Sequence, residues 1–374
     1  MKGIKGFTKR WLKIYFNEKP LLVFWETTKA CLLSCKHCRA EAIIKPLEDE
    51  LKEEDAKALI DQVKSFGKPY PIMIFTGGDL LMRKDIFELI KYAKDQGIKV
   101  SVSPSVSPLL NEETLKKFKE VDSLSVSLDG SKAETHDEIR GVKGTFERTL
   151  NIIRKSLDMG LKIQVNSVVM KRNMYEFKEI YKLIKNLGVK VWEVFFLIKT
   201  GRAIDKEDLN PDEYEAFCNF LYDLSFSGIT IRCIEAPFIR RIAKLRREER
   251  YTFKSKLYLN LISNLSIEGR ESTLSLYPIL DGDGIIFVAY NGKVFPGGFL
   301  PYELGNIKER SLCEIYRYNV LLKKIRSREL KGYCNICEFK YICGGSRARA
   351  YSYFKDPLES DPACILKESG EKSN

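Results

Sequence analysis

The chain has 374 residues, of which 44% are hydrophobic, 11% are aromatic and 30% are charged, and its formal net charge is +12. This composition excludes a disordered chain, a collagen and a coiled-coil rod. The length predicts several domains, or one barrel with an appendage, and a chain of this size folds without disulfides. No apolar run approaches the roughly 20 residues that span a membrane, and the basic N-terminus lacks a following apolar segment, so we expect a cytoplasmic protein.

The net positive charge permits two interpretations. It keeps the protein in solution, or it attracts an anionic partner such as a nucleic acid, a membrane surface or a polycarboxylate substrate. The densest basic stretch, at 239–256, is expected to be a solvated helix and linker, with an anion-binding surface as the alternative. Charge by itself does not choose between these interpretations.

Apolar segments of strand length alternate with helical patterns over the first two thirds of the chain. One pattern places Ala56, Leu59, Ile60 and Val63 on a single face, which is the spacing of a helix packed on a sheet. Such alternation predicts an α/β fold with a parallel sheet, here a partial (β/α)6 TIM-like barrel, whose functional groups follow the C-terminal ends of the strands. A doubly wound open sheet is the alternative. The predicted strands lie at 21–26, 72–76, 99–103, 124–128, 162–168 and 192–197.

The alternation of strands and helices stops after the sixth predicted strand. A different region, with a predicted hairpin followed by a cysteine-rich segment, starts near residue 281. A hairpin of strands 285–290 and 293–295 is predicted there, because Asn291-Gly292 between apolar runs is a strong turn signal. We therefore divide the chain into an N-terminal extension at 1–20, the partial barrel at 21–235, a basic linker or helical region at 236–280 and a cysteine-rich domain at 281–374.

Six of the ten cysteines lie in two short clusters. Cys31, Cys35 and Cys38 follow the first predicted strand directly, where a barrel places its functional groups. In a cytoplasmic chain such a cluster indicates metal or redox chemistry rather than disulfides. Three thiolates leave one iron of a four-iron cluster open for another ligand, whereas a structural zinc site needs four closed ligands.

The spacing Cys31-x3-Cys35-x2-Cys38 resembles the signature of the radical S-adenosylmethionine (SAM) enzymes. The resemblance implies that the amino and carboxylate groups of SAM bind the open iron of a [4Fe–4S] cluster. It also implies that electron transfer from the reduced cluster releases a 5′-deoxyadenosyl radical, which abstracts hydrogen from a substrate. His37 stands where the family usually has an aromatic residue, and it is expected near the adenine.

The end of the second predicted strand matches another motif of this family. Gly77-Gly78-Asp79 resembles its Gly-Gly-Glu-Pro motif, which meets the SAM amino group, although Leu80 replaces the proline. Paired glycines let a backbone approach a ligand closely, and a carboxylate suits an ammonium group.

The end of the fourth predicted strand resembles the family's Ser-(Ile/Leu)-Asp-Gly…Arg-Gly pattern. The likeness implies that Ser127 and Arg140 hold the ribose or the carboxylate of SAM, and a guanidinium fork matches a carboxylate. A purely structural turn remains the alternative for Asp129-Gly130. Ser103 and Leu197, at the ends of the third and sixth strands, are further candidates for the wall of the cofactor site.

Another histidine, His136, lies in the same stretch of sequence. We expect it on the surface or in a loop.

A second set of thiolates lies near the C-terminus, at Cys334, Cys337, Cys343 and Cys364. Four cysteines suit a closed iron–sulfur cluster or a zinc ribbon, and the spacing alone leaves both open. The region from 292 onward resembles the SPASM extension of many radical SAM enzymes, which normally carries two auxiliary [4Fe–4S] clusters.

The sequence departs from the SPASM pattern in an orderly way. Gly297 and Arg347 stand where the pattern has cysteines, and an expected cysteine near Asp281 is also absent. The missing cysteines belong to one auxiliary cluster, so the resemblance implies a single auxiliary cluster on the four C-terminal cysteines. We expect the lost cluster to free space near Gly297 and Gly298 for substrate or for Arg347.

The resemblance favours a radical SAM oxidoreductase that acts on a small molecule or a cofactor precursor. An anionic substrate, as in tetrapyrrole or metal-cofactor maturation, suits the positive charge. Such an enzyme needs an electron donor such as ferredoxin or flavodoxin, and its auxiliary cluster is expected to accept or relay an electron. No residue is assigned as a catalytic acid or base.

Two other functions stay open at this point. The first is a peptide maturase that acts on a ribosomally made precursor with a separate recognition partner. The second is a metal-stabilised nucleic-acid binder without enzymatic activity, and a three-cysteine site with an open position argues against it. We expect no membrane partner.

Overall fold

The computed structural model describes residues 16–267 and 269–366, and its centre is an 11-stranded sheet. Most of the predicted N-terminal extension lies outside the described residues. The first seven strands are hydrogen-bonded in chain order, and every neighbouring pair is parallel. They are β1 (Leu22–Glu26), β2 (Ile72–Thr76), β3 (Val100–Val102), β4 (Ser123–Ser127), β5 (Ile163–Val169), β6 (Val191–Phe196) and β7 (Thr230–Ile234).

Helices connect these strands and cover the outside of the sheet. They are α1 (Glu53–Lys64), α2 (Ile86–Asp95), α3 (Glu112–Lys117), α4 (Ala133–Arg140), α5 (Thr145–Asp158), α6 (Phe177–Asn186) and α7 (Pro211–Leu224). Each helix covers the sheet because one of its faces is apolar. In α1 the buried residues are Ala56, Leu59, Ile60 and Val63, as the apolar spacing predicts.

The predicted α/β fold with a parallel sheet is confirmed. Each of the six predicted strands matches an observed strand to within one residue at either end. Buried and partly exposed side chains alternate along β5, because successive side chains of a strand point to opposite faces. The hydrogen-bonded order ends at β7, so the barrel is partial, as the sequence predicts.

The C-terminal region continues the same sheet. Strand β9 pairs in parallel with β1, with Ile285 opposite Leu22, and β10 pairs antiparallel with β9. The predicted turn between β9 and β10 is present, and Gly292 adopts a φ of +89°, which favours glycine. These strands are β8 (Leu280–Asp281), β9 (Gly284–Val288), β10 (Lys293–Phe295) and β11 (Gly305–Asn306).

Six further helices follow β7 in the described residues. They are α8 (Ile239–Arg247), α9 (Lys256–Ile262), α10 (Leu312–Tyr318), α11 (Val320–Ser327), α12 (Gly332–Ile336) and α13 (Arg347–Phe354). Because the sheet runs from the barrel into the cysteine-rich region without interruption, the four-part division of the chain stays a prediction. Within 16–267 and 269–366, no helix has the length and apolar character needed to cross a membrane.

The basic stretch at 239–256 is not simply a solvated helix, and this expectation was wrong for its first turns. Arg241 on α8 is buried and lies 2.6 Å from Glu215 of α7, which is equally buried. Arg240 donates a 2.8 Å hydrogen bond to the backbone oxygen of Ile279. These arginines pair with groups far away in sequence, which the local charge pattern does not reveal.

The buried Arg241–Glu215 pair yields a stability prediction. We expect Glu215→Gln to lower the free energy of unfolding by about 3 kcal/mol, because one buried charge loses its partner. Anaerobic denaturant titration followed by circular dichroism measures this change. In the matched control, Glu248→Gln removes the partner of exposed Lys244 and should change the free energy of unfolding much less, because solvent screens that pair. Equal effects of the two substitutions would contradict the prediction.

Candidate functional site

The first cysteine cluster lies in the loop that follows β1, and the end of α4 anchors it. The backbone N–H of Ser34 donates to the Arg140 oxygen at 3.2 Å, and that of Lys36 donates to the Ile139 oxygen at 2.9 Å. Cys31 is buried, whereas Cys35 and Cys38 are half-buried. The three thiols pack around a small apolar group formed by Leu33, Ala42 and Val142. The sequence-predicted cluster ligands therefore lie together.

The surroundings of the thiols oppose and favour their charged form at the same time. Burial raises the pKa of the Cys31 and Cys35 thiols, because the thiolate loses solvation. The Arg140 guanidinium acts in the opposite direction on Cys35, since its Nη1 lies 3.7 Å from the sulfur. Cysteines bind iron as thiolates, so the three thiols would lose their protons on binding an iron centre. The Arg140 guanidinium would then help to neutralise the negative charge of the thiolates.

The turn after β2, which contains the glycine pair, forms backbone hydrogen bonds with the segment that precedes Cys31. The Gly78 N–H donates to the Thr28 oxygen at 2.8 Å, and the Asp79 N–H donates to the Ala30 oxygen. A Cβ added at Gly78 would lie 2.4 Å from that Ala30 oxygen. The backbone approach thus needs glycine, and it fixes the segment that leads into Cys31.

The Asp79 carboxylate, for which the motif resemblance implies contact with the SAM amino group, has polar partners within the protein. It is fully buried, accepts a 2.7 Å hydrogen bond from the Ser107 hydroxyl and caps the backbone N–H of Leu81 at 3.2 Å. Burial raises the pKa of this carboxyl above its ordinary value. In this structure the side chain organises the turn after β2.

Ser105 is a neighbour of the cysteine loop that the sequence analysis missed. Its hydroxyl donates to the Gly78 oxygen at 2.8 Å and lies 3.2 Å from the Cys31 sulfur. Ser105 thereby links the glycine pair to the first thiol. It follows β3 by three residues, so its place at a strand's C-terminal end was an available signal.

A buried ion pair lies behind the loop, where Asp129 contacts Arg140. Burial raises the pKa of Asp129, but the Arg140 guanidinium, the two neighbouring histidines and the Val168 N–H together outweigh it, so this pKa lies below its ordinary value. Asp129 Oδ1 also accepts the Val168 N–H at 2.8 Å, which ties the turn to β5. The Asp129-Gly130 turn is therefore structural, and it also positions the arginine beside Cys35.

Two histidines border this ion pair. His37 Nε2 lies 3.8 Å from Asp129 Oδ2, and burial lowers the pKa of His37 to about 4. The surface or loop position expected for His136 was wrong, since its side chain is fully buried on α4. Its Nδ1 accepts the backbone N–H of Asp129 at 3.0 Å, which explains why a histidine is tolerated there.

The remaining candidates for the cofactor wall occupy different environments. Ser127 is half-buried at the end of β4, and Ser103 accepts a 2.9 Å hydrogen bond from the Ser125 hydroxyl. Leu197 is buried after β6 and packs with Ile139 and Met170. Both serines are half-buried, whereas Leu197 belongs to an apolar cluster with Ile139 of α4.

The four C-terminal cysteines line one cavity, together with Arg241 and Tyr333. Burial raises the pKa of the Cys343 and Cys364 thiols to about 12. Among residues 16–267 and 269–366, no three His, Cys, Asp or Glu side chains are grouped to hold a single metal ion. A [4Fe–4S] cluster binds each thiolate through a different iron, so its ligands need not converge on one point. The donor set around this cavity fits such a cluster.

The space beside Gly297 is occupied, although the sequence analysis expected it to be free for substrate or Arg347. A Cβ at Gly297 would lie 1.8 Å from Asp281 Oδ1, so an aspartate fills the place of a cysteine side chain. Arg347 lies instead at the C-terminal cysteines, with Nη2 3.9 Å from the Cys334 sulfur and Nη1 2.7 Å from the Glu359 oxygen. The expectation for Arg347 was wrong.

Comparisons with known proteins agree with this arrangement. The family model described as Radical SAM superfamily matches residues 25–184, and the SPASM model, described as an iron–sulfur cluster-binding domain, matches 281–338. An AdoMet-dependent heme synthase of Methanosarcina barkeri is 37% identical over 95% of this chain and 99% of its own length. An Fe-coproporphyrin III synthase of the same organism is 30% identical over 94% of this chain and 88% of its own length.

A solved structure with a similar fold is Streptococcus suis SuiB bound to the precursor peptide SuiA. It has a TM-score of 0.69 and 17% identity, and the match covers 93% of this chain and 76% of SuiB. At this identity the likeness concerns the fold alone.

The contact between Gly78 and Ala30 gives a testable prediction. We expect Gly78→Ala to displace the cysteine loop and to reduce the iron bound at the first cysteine cluster by more than about half, because the 2.4 Å approach is impossible for a Cβ. Iron and sulfide analysis after anaerobic reconstitution measures it. Gly188→Ala is the control for backbone strain alone, since its φ of +84° disfavours alanine but its added Cβ has no neighbour within 4 Å. Full iron loading of Gly78→Ala would contradict the prediction.

Proposed function

Because the chain belongs to the radical SAM enzymes that carry a SPASM extension, we propose that it acts on a propionate-bearing iron tetrapyrrole in heme synthesis. Enzymes of this family reductively cleave SAM at a [4Fe–4S] cluster and abstract hydrogen from a substrate. The observation that carries the tetrapyrrole proposal is the end-to-end similarity to an AdoMet-dependent heme synthase. The net charge of +12 suits a substrate with several carboxylates.

In this proposal the first cysteine loop holds the SAM-binding cluster. Arg140, fixed by Asp129, balances the negative charge of the thiolates and of the SAM carboxylate. The glycine pair after β2 brings the backbone close to the loop, and Asp79 acts by shaping that turn. The proposed cluster ligands and SAM-site residues are Cys31, Cys35, Cys38, His37, Gly77, Gly78, Asp79, Ser103, Ser127, Arg140 and Leu197.

The second cysteine set, Cys334, Cys337, Cys343 and Cys364, is proposed to hold the single auxiliary cluster. The position of the Asp281 carboxylate beside Gly297 supports the absence of a second auxiliary cluster, because this carboxylate occupies the volume that a cysteine ligand at 297 would need. The protein contributes neighbours that neutralise charge at this site, with Arg347 next to Cys334 and Arg241 on the cavity wall.

The chemistry of heme suggests the reaction. Abstraction of hydrogen from the propionate carbon next to the ring, followed by loss of the carboxylate as CO2, leaves a vinyl group and one electron. Bound SAM and its cluster would supply the radical that takes up the hydrogen, and an auxiliary cluster held by Cys334, Cys337, Cys343 and Cys364 would supply an acceptor for the electron. The chain's own part is to orient the propionate and to exclude water from the barrel interior.

The other functions considered from the sequence receive less support. The likeness to a peptide-bound structure concerns the fold alone, so it does not favour a peptide maturase. The chain belongs to a family of enzymes, so a nucleic-acid binder without enzymatic activity is not supported. We propose a cytoplasmic enzyme that receives electrons from a ferredoxin or flavodoxin.

An anaerobic assay tests the proposed function. Reconstituted protein receives SAM, dithionite and an iron porphyrin with four propionate side chains, and mass spectrometry follows 5′-deoxyadenosine and vinyl products. We expect both products from the native chain and neither from Cys35→Ala. Production of 5′-deoxyadenosine with an unchanged porphyrin would contradict the tetrapyrrole substrate and leave the family chemistry intact.

Iron counting tests the number of clusters. We expect about eight iron atoms per reconstituted chain, four in each cluster, and about four after Cys337→Ala. Cys313→Ala serves as the control, because Cys313 contacts the Gln62 backbone and lies outside both cysteine sets. About twelve iron atoms, with a third signal in electron paramagnetic resonance, would contradict the single auxiliary cluster.

A further inference from the structure

One arginine at the mouth of the barrel keeps most of its hydrogen-bonding capacity free. Arg39 follows Cys38 directly, and its guanidinium carbon lies 4.6 Å from the ring centroid of Phe287 on β9. Its Nη1 lies 3.3 Å from Glu26 Oε1 at the end of β1. The side chain thus stands at the C-terminal ends of two adjacent strands, where a barrel of this kind binds its substrate.

The protein itself uses few of the donors of this guanidinium. A guanidinium carries five N–H groups. Within the described residues, the Arg39 side chain makes one hydrogen bond, from Nη1 to Glu26. The Arg39 side chain is 18% exposed, and its Nε and Nη2 are not among the buried polar atoms that lack a partner. Arg83 shows the contrast: it lies over Trp25 but donates to the Leu51 oxygen at 2.7 Å and to Asp85 at 2.8 Å.

Glu26 engages one donor group of Arg39. The contact between Nη1 and Glu26 Oε1 is long for a charge-assisted hydrogen bond, at 3.3 Å. Burial raises the pKa of the Glu26 carboxyl, and Arg39 lowers it. A second anion that approaches Arg39 therefore still finds the donors of Nε and Nη2.

The neighbours of Arg39 suit a flat apolar molecule. A Cβ at Gly298 would lie 3.4 Å from both Arg39 Nε and the Phe287 ring, so the Gly298 backbone passes close to both groups. The next residue, Phe299, places its ring 6.0 Å from that of Phe195 on β6. Phe195 and Phe299 are half-buried, whereas the Phe287 ring under Arg39 is buried. Aromatic rings beside one cation are typical of a site for an aromatic ligand with an acidic side chain.

We infer that Arg39 binds a side-chain carboxylate of the substrate and holds it beside the first cysteine loop. By fixing one carboxylate there, Arg39 determines which side chain of the substrate faces the site of hydrogen abstraction. This inference rests on the proposed function, which supplies a substrate with propionates. It adds a substrate-binding residue that the SAM and cluster sites do not include.

The experiment compares two charge states of one ligand. Reconstituted holoenzyme with SAM is titrated anaerobically with an iron porphyrin carrying four propionates, and separately with its methyl ester, and the change in the Soret band reports binding. We expect the native chain to prefer the acid. In Arg39→Gln the affinity for the acid should fall about tenfold or more, whereas the affinity for the ester should not change. Arg39→Lys, which keeps the charge, should lie between them.

A matched control separates this role from general packing. Arg246→Gln removes another arginine that stacks on a ring, 4.5 Å from Tyr222, and pairs with an acid, 2.7 Å from Asp223. It should leave porphyrin affinity unchanged. Equal weakening of acid and ester binding in Arg39→Gln would overturn the inference and leave the proposed function standing. Failure of the native chain to bind either ligand would overturn the proposed function and this inference with it.

Discussion

The buried contact between Asp129 and Arg140 is the interaction on which the site depends. It joins the end of β4 to the end of α4, and the last carbonyls of α4 in turn accept the backbone N–H groups of the first cysteine loop. The same arginine reaches Cys35. Loss of this pair would therefore disturb loop position and thiolate charge together, because one guanidinium serves both.

The sheet brings the two cysteine regions into one structure. β9 adds to β1 on the side opposite β2, so the strand that precedes the first cysteines also carries the C-terminal region. Phe287 of β9 meets Arg39 across this junction. The proposed substrate site consequently lies where both regions contribute walls, and neither region contains it alone.

Most of the fold was predictable from the sequence, because apolar periodicity records which face of each element is buried. The cysteine loops were also predictable, since their spacing is local. The errors have one physical cause. His136 on α4 accepts a hydrogen bond from the backbone of Asp129, which precedes the helix. Arg241 pairs with Glu215, and Arg347 lies beside Cys334. The burial of these side chains depends on partners that apolar periodicity does not reveal. Asp281 beside Gly297 belongs to the same class.

The pairing of β9 with β1 also bears on how the chain assembles. The two strands are separated by most of the sequence, so joining them requires closure of a very long loop, and contacts of that kind form late. Until β9 is in place, one edge of β1 stays unpaired, and Arg39 lacks its contact with the Phe287 ring. The side chain next to the third cysteine of the first cluster thus depends on the C-terminal region for its position.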